Sequence, residues 1–337
     1  MKKIFFIIVT IAGLFSCKNA DKTFPDFDYQ SGYFPYQFPV RTLVLGDYIY
    51  DNVNDNAHKF VISVALGGLY ENTKDRKFTF VVDNSLCNNI LFIAKGDPIK
   101  ALPTNYYTLS SPDQIIIPTG SYNGGVTVQL TDAFFSDPLA IKNTYVVPLR
   151  LKSSADVDTI LSGSSTNSAA DPRIITQWSV APKNFTMFAV KYINEFHGNY
   201  FHYGSNKVKD AAGAEVETTT YSQTYVESNP VALLSTSGRY QVTFPTNFRS
   251  TKITGAYNLA LTFTGTKCTV SAPAGSAYTV TGTGEFLTKK YIWGAKDRDG
   301  ITLSYKVSNG VYTYEATETL VVRDRAVIME VYSPVLF

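Results

Sequence analysis

The chain has 337 residues, 45% hydrophobic, 14% aromatic and 17% charged, with 23 Tyr and 22 Phe. That composition is too apolar and aromatic for a disordered tail, and its Gly and Pro, without period, exclude a collagen-like fibre. Lys and Arg number 30 against 28 Asp and Glu, which leaves no basic excess for nucleic acid, and the length predicts two domains.

Met1-Lys2-Lys3 is a positive start, and an apolar run broken only by Thr10 and Gly13 extends from Ile4 to Phe15. About twelve apolar residues are too few to cross a ~30 Å hydrocarbon core, so residues 1–16 read as a secretory signal peptide. Leu14-Phe15-Ser16-Cys17 closes the run and resembles the bacterial lipobox. The resemblance implies cleavage before Cys17 and lipid on both its thiol and its amine; more than one acyl chain anchors a protein stably. Loss of the signal removes Lys2 and Lys3 and no acid, so the mature chain carries 28 basic and 28 acidic side chains. A neutral protein gains little from electrostatic steering, which favours an uncharged ligand over a charged polymer. Residues 17–31 are polar with little periodicity, as suits a tether.

From residue 32 the chain turns to short apolar runs cut by Pro and Gly. Tyr33 to Val40 and Arg41 to Gly46 come first, then Lys59 to Leu66, Arg76 to Asp83, Gln114 to Pro118, Gly125 to Leu130 and Thr144 to Leu151. About seven such strands separated by turn residues predict a β-sandwich over residues 32–181, with a Ser-rich loop at 153–170. Strands then follow in steady succession over residues 182–337, beginning with Phe185 to Ile193. Consecutive hairpins build an up-and-down antiparallel sheet, and closing it into a barrel removes the exposed edges. In Tyr312 to Leu320 one face carries Tyr312, Tyr314, Ala316 and Glu318 and the other Thr313, Glu315, Thr317 and Thr319. Cys87 and Cys268 lie in different predicted domains and read as small buried hydrophobes, not as a bridge.

No nucleophile elbow, phosphate-cradling loop, dinucleotide fingerprint or His-Glu-x-x-His is present. His197 and His202 sit five apart, which sends them to opposite faces of a continuous strand, and His58 stands alone in a polar loop. Asp47, Asp51, Asn52, Asn54, Asp55 and Asn56 crowd one loop; such oxygens suit a calcium ion, and the same residues are what turns demand. Asp299-Gly300 reads as a hairpin turn. No metal or cofactor is assigned. What remains is aromatic: pyranose rings present apolar C–H faces to flat side chains while their hydroxyls need polar partners. Tyr291, Trp293, Lys296 and Arg298 combine both kinds in one turn region, and Tyr200, His202 and Tyr203 do so in another. Each region reads either as a ligand platform or as a core strand entering a hairpin. Trp178 reads as packing at the domain junction.

Phe34-Pro35-Tyr36-Gln37-Phe38-Pro39-Val40-Arg41-Thr42-Leu43-Val44-Leu45-Gly46 and Leu66-Gly67-Gly68-Leu69-Tyr70-Glu71-Asn72 resemble the N-terminal domain of surface lipoproteins from Bacteroidetes-type glycan-uptake (Sus-like) loci. Lys183-Asn184-Phe185, Val190 to Asn194 and His197-Gly198-Asn199-Tyr200 resemble the companion C-terminal domain. The resemblance implies an all-β protein, an immunoglobulin-like β-sandwich followed by a lipocalin-like antiparallel β-barrel. It also implies a place in the outer membrane beside an importer, facing the cell surface, although Lys18-Asn19-Ala20 stands where surface-exposed members carry acids. The expectation is a non-catalytic, lipid-anchored protein that binds a neutral glycan, touching the membrane only through its anchor. The alternative is a structural or adhesive lipoprotein that binds a partner protein.

Overall fold

The structure, a computed structural model, describes residues 27–337. The expected signal peptide, Cys17 and most of the expected tether lie outside the described residues. The fold is nearly all β, with sheets in the N-terminal region and a closed eight-stranded antiparallel barrel after them, the class expected from the sequence.

The N-terminal strands are β1 (Ser31–Tyr33), β2 (Pro39–Val44), β3 (Lys59–Gly67), β4 (Arg76–Val82), β5 (Ile90–Leu91) and β6 (Lys100–Ala101). They continue with β7 (Tyr107–Leu109), β8 (Gln114–Ile117), β9 (Asn123–Leu130), β10 (Tyr145–Ser153), β11 (Thr159–Ile160) and β12 (Phe185–Ile193). One sheet runs β11-β1-β3-β9-β7, and the facing sheet contains β2-β12-β10-β4-β8. Alternation assembles the core between them. Phe60, Ile62, Val64 and Leu66 of β3 and Val126, Val128 and Leu130 of β9 all turn inward onto Phe78, Phe80 and Tyr192, in the period-2 pattern of a half-buried strand.

The barrel is built from β13 (Gly198–Lys209), β15 (Val231–Gly238), β16 (Gln241–Asn247), β17 (Ala256–Thr264), β18 (Lys267–Ser271), β19 (Thr279–Trp293), β20 (Lys296–Ser308) and β21 (Thr313–Asp324). It closes where β21 pairs with β13, from Asn199↔Asp324 to Lys209↔Thr313. A further strand, β14 (Glu215–Tyr221), takes the far part of the β13 edge that β15 leaves open.

Phe185–Ile193, expected as the first barrel strand, instead belongs to the sandwich. It pairs antiparallel with β10 and parallel with β2, Ala189 opposite Val40. The reason is hydrophobic. Seven of its nine residues are buried, which suits a central strand covered on both faces and not a barrel stave wetted on one. The chain also returns to the sandwich after the barrel: β22 (Glu330–Val331) pairs with β2 and β23 (Val335–Leu336) with β5. Tyr332 between them is 7% exposed, sits edge-on to Phe38 and Phe92, and donates its hydroxyl to Met187 O at 2.7 Å. Trp178 is held within the loop before β12, donating Nε1 to Asp171 O at 2.7 Å. Both Cys87 and Cys268 are free thiols.

Two covalent crossings thus join the domains, and Arg325 ties them together. Only 8% exposed, it donates from Nη1 to Asp47 O at 2.7 Å, from Nη2 to Leu45 O at 3.0 Å and Asn194 O at 2.6 Å, and from Nε to His197 O at 2.8 Å. Two of those carbonyls follow β2 and two lie in the crossing between β12 and β13. A second tie runs from Arg239 to Asp132 at 2.7 Å, on the other side of the junction.

Hydrogen bonds to a charged group contribute about 1.5–3 kcal/mol each, and unpaired buried carbonyls cost further. Arg325→Met should therefore destabilise the protein by roughly 3–5 kcal/mol in urea denaturation. Arg323→Met, at a side chain 48% exposed, should cost less than about 1 kcal/mol; equal losses from the two variants would contradict this account.

Candidate functional site: the cleft between sandwich and barrel

The Arg325 tie holds the segment after β2 against one rim of the barrel, and between them opens a cleft of about 1130 Å³. The sandwich contributes Asp47, Tyr48, Ile49 and Tyr50. The barrel contributes the tip of the β19–β20 hairpin, Lys296 to Asp299, and the end of β21 with the residues after it. Tyr48 and Tyr50 meet edge-to-face with centroids 5.3 Å apart, and Tyr50 stays 67% exposed. A large aromatic ring held in place by a neighbour, yet open to solvent, is a ready apolar platform.

The loop that presents these rings is the one whose Asp and Asn content suggested calcium. Most of its polar side chains are taken up in folding the loop. Asp55 accepts from Arg41 and from Val44 N, Asn56 from Gly46 N at 2.8 Å and Asp51 from Val53 N at 3.0 Å, while Asn52 donates to Val44 O and Gly46 O. The Asp51 bond is the Asx type that turns use, and the others tie the loop back to the end of β2. Among the described residues no three His, Cys, Asp or Glu side chains converge on a common point.

The opposite wall is the hairpin. Its turn lies at Gly294-Ala295, both with positive φ (+60° and +56°), as a two-residue primed turn requires. It does not lie at Asp299-Gly300, which is inside β20. Gly300 serves a different purpose there: a Cβ at this position would stand 2.5 Å from the Tyr291 ring, which covers the glycine. Strand register, with Tyr291 opposite Arg298 and a bulge between Leu287 and Tyr291, brings this about.

The residues selected from the sequence divide three ways. Lys296 and Arg298 line the cleft. Trp293 lies beneath Arg298, whose guanidinium stands 4.2 Å over its ring; the indole donates Nε1 to Val322 O at 2.9 Å and meets Phe201 edge-on. Its ring is thus occupied by protein. Tyr203 and Tyr291 are half-buried on the same outer wall, and burial raises both phenol pKa values. Tyr200 and His202 lie inside the barrel, 1% and 3% exposed, with the Tyr200 hydroxyl donating to Phe196 O at 2.9 Å. Neither can meet a surface glycan, because alternation along β13 turns even-numbered residues inward. Tyr48 and Tyr50 were missed. The signal was there, aromatic residues alternating with a turn-rich acidic loop, but the acids drew the reading.

Five acids and four bases line the cleft, a near balance that does not favour a strongly charged ligand. Several are already engaged: Arg325 by its four carbonyls, Asp324 by Asn199 and Ala326 N, Asp299 by Lys289 N. Among the described residues Lys296 and Asp297 make no hydrogen bond or ion pair, and Arg298 Nε is buried without a partner. The site therefore offers both donors and acceptors near the exposed Tyr50 ring.

The combination defines a two-domain, all-β protein with a cleft at the junction of sandwich and barrel. Residues 195–326 match the family model of a domain of unknown function, DUF5627, and residues 27–158 match one described as an N-terminal domain. A solved structure from Bacteroides ovatus, of unknown function, is 34% identical with a TM-score of 0.86, covering 92% of this chain and 100% of its own. The chain belongs to the same family as that protein. An auxiliary nutrient binding protein from Bacteroides thetaiotaomicron aligns at 14% identity and TM-score 0.42, covering 84% of this chain and 90% of its own. A second Bacteroides ovatus protein of unknown function aligns at 15% and 0.43, covering 88% and 94%. Scores of that size carry no argument about this chain. No curated protein matches it.

His197, at the crossing beneath the cleft, accepts from Thr236 N at 3.0 Å through Nδ1. Burial, then the positive charges of Arg325 and Lys191, lower its pKa from 6.5 to about 4. The unfolded chain therefore binds a proton that the folded chain refuses, and stability falls as pH drops from about 6.5 toward 4. His197→Asn, which keeps an acceptor, should remove roughly 2 kcal/mol of the difference in unfolding free energy between pH 7 and pH 4.5; an undiminished pH dependence would contradict it.

Proposed function

We propose that this protein is a non-catalytic, lipid-anchored glycan-binding accessory protein at the cell surface, serving a polysaccharide or oligosaccharide uptake system. The observation that carries the reading is the junction cleft, where exposed Tyr50 and half-buried Tyr48 share the lining with Lys296 and Asp297, which are free of partners among the described residues, and with Arg298, whose Nε is unpartnered. Tyrosine faces stack on pyranose C–H surfaces, while a carboxylate and two cations serve vicinal hydroxyls as acceptor and donors. The near balance of charge favours a neutral glycan. Lys2-Lys3, the apolar run and Cys17 support export and lipidation, and the resemblance to Sus-like lipoproteins supports a neighbouring outer-membrane importer.

Apolar side chains on the rim favour a second reading, a structural or adhesive protein with a protein partner. Ile49 is 77% exposed and Ile328 71%. Glycan arrays and affinity gels with host and plant polysaccharides decide between them. A bound neutral glycan whose affinity drops about tenfold in Tyr50→Ala and again in Arg298→Ala, about 1.4 kcal/mol each, supports the first. Silence on every glycan alongside stoichiometric co-purification of a protein supports the second. Reducing sugar released by the purified protein would overturn the non-catalytic reading. Cys17→Ser should move the protein from the membrane pellet to the soluble fraction; persistence in the pellet would contradict the anchor.

A further inference from the structure

The barrel interior holds a second set of polar groups, separate from the cleft. Alternation along β13 and β21 turns His202 and Glu318 inward, 3% and 2% exposed, at adjacent register positions where His202 faces Leu320 and Gly204 faces Glu318. His202 Nε2 stands 3.0 Å from Glu318 Oε1, yet it is out of line for a hydrogen bond, and Glu318 Oε2 has no hydrogen-bond partner among the described residues. Tyr221, the last residue of β14, aims its hydroxyl at the same Oε1 at 2.5 Å, with the Tyr314 hydroxyl beside it. Phe244 packs edge-on to His202 at 5.2 Å and Phe248 edge-on to Tyr314 at 5.2 Å, so the walls around these groups are apolar.

A self-contained polar network would have His202 aligned on the carboxylate and both carboxylate oxygens capped. Here the ring nitrogen is misaligned and one oxygen is bare, in a place where an unpaired carboxylate oxygen is costly. His202 Nε2 and the Tyr221 hydroxyl lie 3.0 and 2.5 Å from the same Glu318 oxygen, which leaves no space for an organic molecule between them. Donors that share one ion at about 2 Å stand roughly 3 Å apart, so a small opening of this cluster admits an ion.

We propose that His202, Tyr221, Tyr314 and Glu318 form a mononuclear binding site for a ferric ion. Carboxylate and phenolate are hard oxygen donors, and imidazole suits iron as well. One carboxylate and two phenolates carry three negative charges, which a trivalent ion neutralises within the apolar barrel; a divalent ion leaves an uncompensated anion. Binding inserts the ion and releases the two phenol protons, with no change of oxidation state. The Arg249 guanidinium stands 4.3 Å over the Tyr221 ring, while burial and the Glu318 charge raise the Tyr221 pKa, so the phenol proton leaves only as the ion takes its place. The 247–255 segment packs Phe248 against Tyr257, Tyr278 and Tyr314 and is latched where Glu217 accepts from Ser250 Oγ at 2.7 Å and Thr251 N at 3.0 Å. This inference is independent of the glycan reading.

The test is to expose the purified mature chain to ferric nitrilotriacetate, desalt it, and measure retained metal and the visible spectrum. The expected result is one iron per chain with a tyrosinate-to-iron charge-transfer band. Tyr221→Phe, which removes a single oxygen and leaves the ring in place, should weaken iron retention by at least ~10-fold and diminish the band. A colourless, iron-free wild-type protein overturns the proposal, as does iron held without the band, a band unchanged in the Tyr221→Phe,Tyr314→Phe double variant, or zinc retained in preference to iron.

Discussion

A guanidinium removed from water needs acceptors for its fork of N–H donors. Arg325 finds four, and none of them belongs to a carboxylate. The acceptors are backbone oxygens of Leu45, Asp47, Asn194 and His197. Because they are main-chain atoms, what Arg325 fixes is the path of the chain: the exit from β2 and the crossing from β12 to β13 are held on one planar group. A lysine could not reproduce this, since its ammonium is a point charge without the fork. Burial, opposed by the nearby charges of Tyr200, Glu195 and Asp47, lowers the Arg325 pKa, but a guanidinium stays protonated far above neutrality.

From that constraint the cleft follows. Tyr48 and Tyr50 sit one and three residues beyond the Asp47 carbonyl that Arg325 binds, so the platform is placed by backbone hydrogen bonds and not by packing of the rings themselves. The return of the chain through Tyr332 gives the barrel a second covalent link to the sandwich, and Arg239 on Asp132 a further polar one. Three separated attachments oppose hinge motion of one domain on the other, so a ligand of the proposed kind would meet the cleft with little of the ordering cost that a mobile junction imposes.

Much of this was legible from local pattern. The alternation read in Tyr312 to Leu320 is the alternation of β21, and it turns Tyr314, Ala316 and Glu318 inward. What local pattern could not supply was partnership. Phe185–Ile193 reads as a strand by itself, but its neighbours, β2 and β10, lie well over a hundred and about forty residues earlier. Only three-dimensional pairing shows that it completes the sandwich. Turn chemistry was ambiguous in the same way. Asp299-Gly300 and Gly294-Ala295 both offer a glycine, and the choice was decided by register and by the Tyr291 ring that needs Gly300 bare. Grouping Tyr200, His202 and Tyr203 by sequence proximity failed because neighbours on a strand leave by opposite faces. That rule had separated His197 from His202 and applied equally here.

The same geometry explains why the cleft keeps free charges at all. On a helix, oppositely charged residues three or four apart meet and neutralise one another. On a strand, successive side chains diverge, so Lys296, Asp297 and Arg298 cannot pair among themselves although they are consecutive. Cross-strand partners could do so, but opposite them stand Trp293, Ile292 and Tyr291, which carry no charge. Near the tip of the hairpin Lys296 and Asp297 are exposed, and keeping them solvated costs little, while Arg298 rests its guanidinium on the Trp293 ring. Inside the barrel the balance reverses: β21 faces Glu318 into an apolar wall, where a bare carboxylate oxygen is retained only against a steady cost in stability. A hairpin that leaves its charges unpaired cheaply and a barrel that leaves one unpaired expensively are therefore different kinds of observation, and the second demands a compensating partner more strongly than the first.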